Sequence, residues 1–328
     1  MGTSATLCAS LLGDGESVPG EARDFVLNPI LMIVEHSLGQ VLSKIRMPEL
    51  PVRSPSELRA GDVAAELTDA DAYIINSLPT AVWGQCMIGL DFMQGLRATI
   101  AADTYLSAPA LARAALESFA LAFWVCDDRL PLDERFRRAL LLNRRSVEQE
   151  RKRRKRDWTL SHPDEPHELE QAFADRLGLI DSGIAHFAGQ LDEDGYAYAT
   201  GLPSTTQAVR HILVDVSPVP DGLYGKLSAV VHGDAIFTWG LLSPHPDGAR
   251  RHDFEDRVLL STCITNHLTP TWHAAFAMCI NMGVARSVLQ IDCDMDAMTE
   301  LCKDMTGFIA HNGEEPIWYR GDSMMTKD

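Results

Sequence analysis

Apolar residues recur along this chain at helical spacing and almost nowhere at the alternating spacing of a strand. "NPILMIVEHSLGQVLSKIRM" has apolar positions three and four apart and is stopped by "PELP". "RSPSELRAGDVAAELTDADAYIINSLP" reads as short helices and loops, with Asp69 and Asp71 as caps of a turn. Three long candidates follow. Residues 80–106 form the first, and "SAPALARAALESFALAFWVC" the second. In the second, Ser107 is placed as N-cap, and Pro109 falls in the first turn, where a missing N–H costs nothing. The third, "DERFRRALLLNRRSVEQERKRRKRDW", starts apolar on one face and fades into charge.

Beyond it, "SHPDEPHELEQAFADRLGLIDSGIAHFAGQL" is a loop leading into a helix. Residues 192–206, "DEDGYAYATGLPSTT", have turn residues and no period, and read as a linker or a lid. "TQAVRHILVDV" and "GLYGKLSAVVHGDAIFTWGLL" are helices, and "SPHPDGARRHD" is a polar break. "FEDRVLLSTCITNHLTPTWHAAFAMCINMGVARSVLQ" reads as one long apolar helix kinked at Pro270, and "DMDAMTELCKDMTGFI" closes the core. Residues 1–22, small and polar, are expected to be a flexible tail, and residues 23–328 a single domain. Many of the helical segments are apolar around much of their circumference, as buried bundle helices are. The predicted class is therefore all-α, a multi-helix bundle.

Composition narrows the function more than the fold. At 328 residues and 46% hydrophobic, the chain can bury a sizeable core. A formal net charge of -17 repels phosphate backbones, so nucleic acid is a disfavoured partner; it suits a soluble, monodisperse protein or one that recruits divalent cations. No run of eighteen apolar residues is present, so no membrane span is expected. No basic segment followed by an apolar one opens the chain, so no secretory signal is expected either. "MGTSAT" fits a myristoylation pattern, as short stretches often do by chance. The seven cysteines, Cys8, Cys86, Cys126, Cys263, Cys279, Cys293 and Cys302, include no CxxC pair and sit mostly among apolar residues. They are read as reduced, which points to the cytoplasm and away from structural zinc.

Three constellations carry candidate chemistry. Arg113, Glu117, Leu121, Trp124 and Asp128 are spaced four, four, three and four apart, so they are expected on one stripe of a helix. That stripe ends in "CDDRLPLDE", where Asp127, Asp128 and Asp133 offer hard oxygen ligands suited to Mg²⁺. The alternative is punctuation, in which Asp127 and Asp128 end one helix, Pro131 turns the chain, and Asp133 with Glu134 starts the next. Arg113 and Glu117 are equally open to two readings, as site residues or as an i,i+4 ion pair.

In the second constellation, "GLYGKLSAVVHGD", Tyr224, Ser228 and His232 are four apart and form a polar stripe on an apolar helix. His232 there suits an acid or a base oriented by Ser228, and a hydrogen-bonded core triad is the plainer reading. The third is the basic block Arg151 to Arg156, preceded by Arg144 and Arg145. It suits an anion or the acidic face of a second subunit in a homodimer, and equally a solvated helix end. "SHPDEPHELE" holds metal-capable residue types, but its two prolines make it a capping loop.

Three resemblances attach to these residues. "DDRLPLDE" resembles the aspartate-rich DDxxxxD segment of isoprenyl-diphosphate synthases and class I terpene cyclases. That resemblance implies magnesium and ionisation of an isoprenoid diphosphate beside aromatic residues such as Phe119, Phe123, Trp124, Phe237 and Trp239. Neither a second DDxxD nor a downstream N/D-x-x-x-S/T-x-x-x-E motif is present, and "IDCDMD" is spaced differently. "LARAALESFALAFWVCDD" with "LYGKLSAVVHG" resembles helical proteins of actinobacterial type, which pair an R-x-x-x-E helix ending W-x-x-D with a later L-S-x-x-x-H-G. More distantly, the second segment looks like HEPN-type bundles, many of them ribonucleases. There Lys226 with His232 stands where that family has an arginine and a histidine, and lysine lacks the planar fork that grips phosphate. The leading expectation is a magnesium-dependent enzyme on an isoprenoid diphosphate, with a HEPN-like RNA-binding protein and a non-enzymatic helical interaction protein as alternatives.

Overall fold

The computed structural model describes residue 39 and residues 69–102, 107–161, 170–187, 201–214, 222–231, 269–289 and 293–311. Among these residues there are eight helices and no strand, an all-α bundle as the periodicity predicts. In chain order they are α1 (Asp69–Ala101), α2 (Ala108–Cys126), α3 (Leu132–Ser161), α4 (Glu170–Phe187), α5 (Thr205–Val214), α6 (Gly222–Val231), α7 (Thr269–Leu289) and α8 (Met295–His311).

α2 is the hub. α1, α7, α5, α6 and α3 all pack on it. Its sequence explains why: Ala108, Ala112, Ala115, Ala120 and Ala122 are all fully buried, and short side chains let several helices approach one axis. Between them Leu116, Phe119 and Val125 fill the core. On α1, Gly89 faces the ring of Phe119, and a Cβ there would lie 2.7 Å from ring carbons. α2 is long and apolar enough to cross a membrane by length and composition, as core helices also are, and most of it is buried in the bundle. α3 leaves the hub and pairs with α4 over a small cluster of Leu140, Val147, Leu177 and Ile180. Arg144 to Asp181 and Arg151 to Glu170 are ion pairs that tie the charged half of α3 to α4.

Several boundaries differ from the sequence reading. The first long helix starts at Asp69, so part of the stretch expected as short helices and loops is helical. It runs through Pro79 because Leu78, Val82 and Cys86 keep one buried stripe across the proline. Ser107 precedes α2 with helical backbone angles and no side-chain cap; its carbonyl accepts the Leu111 N–H instead. The expected linker 192–206 is helical from Thr205. Ser204 and Gln207 form a reciprocal capping box there, Gln207 Oε1 accepting from Ser204 N–H at 2.8 Å. Asp294, read only as part of an acidic run, caps α8 by accepting the Ala297 N–H at 2.9 Å. The kink expected at Pro270 falls at the edge of the described residues, and the tail 1–22 lies outside them.

Candidate functional site

α2 and α6 bring two of the three constellations together. Arg113 and Glu117 stand on successive turns of α2, and Tyr224 is the third residue of α6. One oxygen, Glu117 Oε1, accepts from the Tyr224 hydroxyl at 2.5 Å and from Arg113 Nε at 2.7 Å. Arg113 Nη2 also reaches the Tyr224 oxygen at 3.4 Å, and its guanidinium lies over the tyrosine ring, 5.4 Å from the centroid. The side chains of Arg113 and Glu117 are 18% and 25% exposed, so solvent or a ligand reaches a group that is otherwise inside the bundle. Burial, and donation to Glu117, push the Tyr224 phenol above its ordinary value, which keeps it a proton donor. Burial opposes the charge on Arg113, but hydrogen bonds to Glu117 and Tyr224 more than compensate. Ser228 is half-buried one turn further along α6. His232 and the side chain of Lys226 lie outside the described residues.

The acidic corner is arranged differently from the expected stripe. α2 ends at Cys126, so the last step of the stripe, from Trp124 to Asp128, crosses the end of the helix. Asp127 occupies the C-cap position, and its side chain is 3% exposed. It accepts from Arg129 Nε and Nη2, each at 2.8 Å, from the Arg129 N–H at 3.1 Å, and pairs with His211 Nε2 of α5 at 3.0 Å. Phe123 lies under both partners, 5.6 Å from the His211 ring and 5.9 Å from the Arg129 guanidinium. Burial alone would raise the Asp127 carboxyl; the bonds from His211 and Arg129 outweigh it and hold the group well below the usual carboxylate range.

Asp128 turns elsewhere. It lines a cavity of about 280 Å³ with Leu78, Arg135, Phe136 and Val288, and its backbone carbonyl accepts from Arg135 at 2.8 Å. Asp133 is the second residue of α3. Its neighbour Glu134 is buried and binds two arginines, Arg137 at 2.6 Å and Arg138 at 2.8 Å. Arg138 in turn donates to the Trp124 carbonyl at 2.8 Å and lies 4.7 Å from that ring's centroid. The corner thus locks the end of α2 to the start of α3 and to α5. Among the described residues no group of three or more His, Cys, Asp or Glu side chains is placed to hold a metal ion, and Mg²⁺ at Asp127 must displace the donors already on it.

The basic block on α3 is largely paired with its own neighbours. Arg151 binds Glu170, Arg153 and Arg154 share Glu150, and Arg156 lies beside Asp157. His211 and Arg129 were not singled out in the sequence. Arg129, two residues from Asp127, is a local partner visible in hindsight. His211 is 84 positions away on an amphipathic helix and carries no local signal. Comparisons of the chain with family models, with curated proteins and with solved structures gave no match.

Proposed function

We propose that the protein is an enzyme working by proton transfer where α6 crosses α2, on a small-molecule substrate held beside Arg113, Glu117 and Tyr224. One observation supports this reading. The Tyr224 hydroxyl donates to Glu117 across 107 positions of sequence, joining in one partly exposed group two segments that sequence spacing singles out separately. Polar groups in an apolar bundle are costly unless bonded, and a carboxylate sharing one oxygen between a phenol and a guanidinium is a short proton path. Glu117 serves as the base and Tyr224 as the acid, with the Arg113 guanidinium fixing the Glu117 carboxylate in place. Ser228 lies one turn further along α6. Tyr224→Phe and Glu117→Gln are expected to lower turnover about 100-fold or more while leaving melting within a few degrees of the parent. If both variants shift only the melting temperature, and no substrate is turned over by the parent chain, the group is structural. The reading as a helical interaction protein, a homodimer, then takes its place.

A magnesium-dependent reaction on an isoprenoid diphosphate is the second reading. It is favoured by the position of Asp127 and Asp128 at the end of a bundle helix beside Phe123 and Trp124. It requires Asp127 to exchange Arg129 and His211 for a cation. Melting with Mg²⁺ plus pyrophosphate, against each alone, tests it. A stabilisation that needs both and disappears in Asp128→Asn supports this reading; no shift removes it. The HEPN-like reading is tested by His232→Ala in an RNA-cleavage assay without metal.

A further inference from the structure

The cysteines among the described residues divide into two sets. Cys86, Cys126 and Cys293 are buried, and burial pushes the Cys86 and Cys126 thiols up, Cys86 to about 11. Thiols of that kind are small hydrophobes. Cys279 on α7 and Cys302 on α8 are only partly buried, and their side chains are hydrogen-bonded to each other.

The register of α7 against α8 brings these two sulfurs together. The helices are antiparallel neighbours. The Trp272 indole N–H donates to the Thr306 hydroxyl at 2.7 Å near one end of the pair. Gly283 abuts the end of Met295, where an added Cβ would lie 3.3 Å from its methyl carbon, near the other. Between these contacts Cys279 stands level with Thr299, and Cys302 is one turn beyond it. Cα–Cβ bonds lean toward the N-terminus of their own helix. In an antiparallel pair that tilt carries Cys279 toward the level of Cys302 and Cys302 toward the level of Cys279. Thr299 also contacts the Cys279 sulfur, as this register requires.

We propose that Cys279 and Cys302 are a reversible oxidation site, a dithiol that closes to a disulfide across α7 and α8 when the protein meets hydrogen peroxide. The hydrogen bond between the two thiols lowers the Cys279 thiol against the opposing effect of burial. Cys279 is therefore the attacking sulfur. Its thiolate takes one peroxide oxygen; the O–O bond breaks, the departing hydroxide gains a proton to become water, and Cys279 becomes a sulfenic acid. The Cys302 sulfur then attacks the Cys279 sulfur. The S–OH bond breaks, and hydroxide leaves with the Cys302 proton as a second water. Two thiols are oxidised, one peroxide is reduced, and α8 becomes covalently joined to α7. The expectation of reduced cysteines describes the resting state of this pair.

Peptide mapping of the full chain after one equivalent of hydrogen peroxide, with remaining thiols alkylated, tests this. A Cys279–Cys302 linked peptide is expected, reopened by dithiothreitol. In Cys302→Ser, a sulfenic acid trapped by dimedone is expected at Cys279. In Cys279→Ser, neither product should form, and Cys302 should stay a thiol. A folded parent chain in which both cysteines remain fully alkylatable after peroxide overturns the proposal. So does a first disulfide formed between any other pair, or dimedone labelling at Cys302 in place of Cys279.

Discussion

At the scale of single residues, two buried titratable groups have opposite meanings. His273 is 5% exposed, and its Nδ1–H donates to the Thr269 carbonyl at 2.6 Å. Burial pushes its pKa from 6.5 down to about 4, so the folded chain keeps it neutral. Between those two values the unfolded chain binds a proton that the folded chain does not, so stability is lost as pH is lowered through that window. The linked loss is on the order of 3 kcal/mol by pH 4. Urea titrations from pH 7 to pH 4 should show that loss, and His273→Gln should flatten it. Asp127 is held ionised. Its contribution is fully present above the unfolded value of 3.8 and is lost as pH falls below that. Asp127→Asn weakens the bonds to Arg129 and His211 and is expected to cost about 2–3 kcal/mol at pH 7. The gap between parent and variant should narrow at pH 3. That Asp127 ends a helix is legible in "WVCDDRLP"; that it does so bonded to a histidine of α5 is not, because nothing near His211 in sequence marks the contact.

Helices bring a different kind of information. Gly84 and Gly89 lie one turn and a residue apart on α1 and look alike in sequence. Nothing lies within 4 Å of where a Cβ would be at Gly84, whereas at Gly89 it would meet the fully buried Phe119 ring. Alanine gains about 1 kcal/mol over glycine in a helix interior, and overpacking a buried ring costs about 1–3 kcal/mol. Chemical denaturation should therefore show Gly84→Ala stabilised by up to about 1 kcal/mol and Gly89→Ala destabilised by roughly as much. The extent of α1 had the same limit. Pro79 and the capping aspartates are local stop signals, but Leu78 and Val82 are held by tertiary contacts that outweigh them. At the start of α5, by contrast, Ser204 and Gln207 spell the capping box in sequence, three residues apart, across the boundary between the expected linker and the expected helix.

Over the whole molecule, the bundle is organised around α2, and the candidate chemistry follows from that. α5 and α6, one on each side of the segment 215–221, both dock on α2. α5 brings His211 to Asp127 near the C-terminal end, and α6 brings Tyr224 to Glu117 about two turns before Trp124. The sequence by itself determined the all-α class and that the acidic stretch sits at a helix end. Those properties depend on period, side-chain size and helix termini, which act within a few turns. It also marked Arg113, Glu117 and Tyr224 as polar residues on apolar helices. Only the tertiary structure decided which of these meet. It separated Asp127 from Asp128, bound Glu134 to Arg137 and Arg138, and set Cys279 against Cys302. Contacts between helices distant in sequence depend on how whole apolar faces pack, and no local pattern encodes which polar side chains that packing leaves within a hydrogen bond of each other.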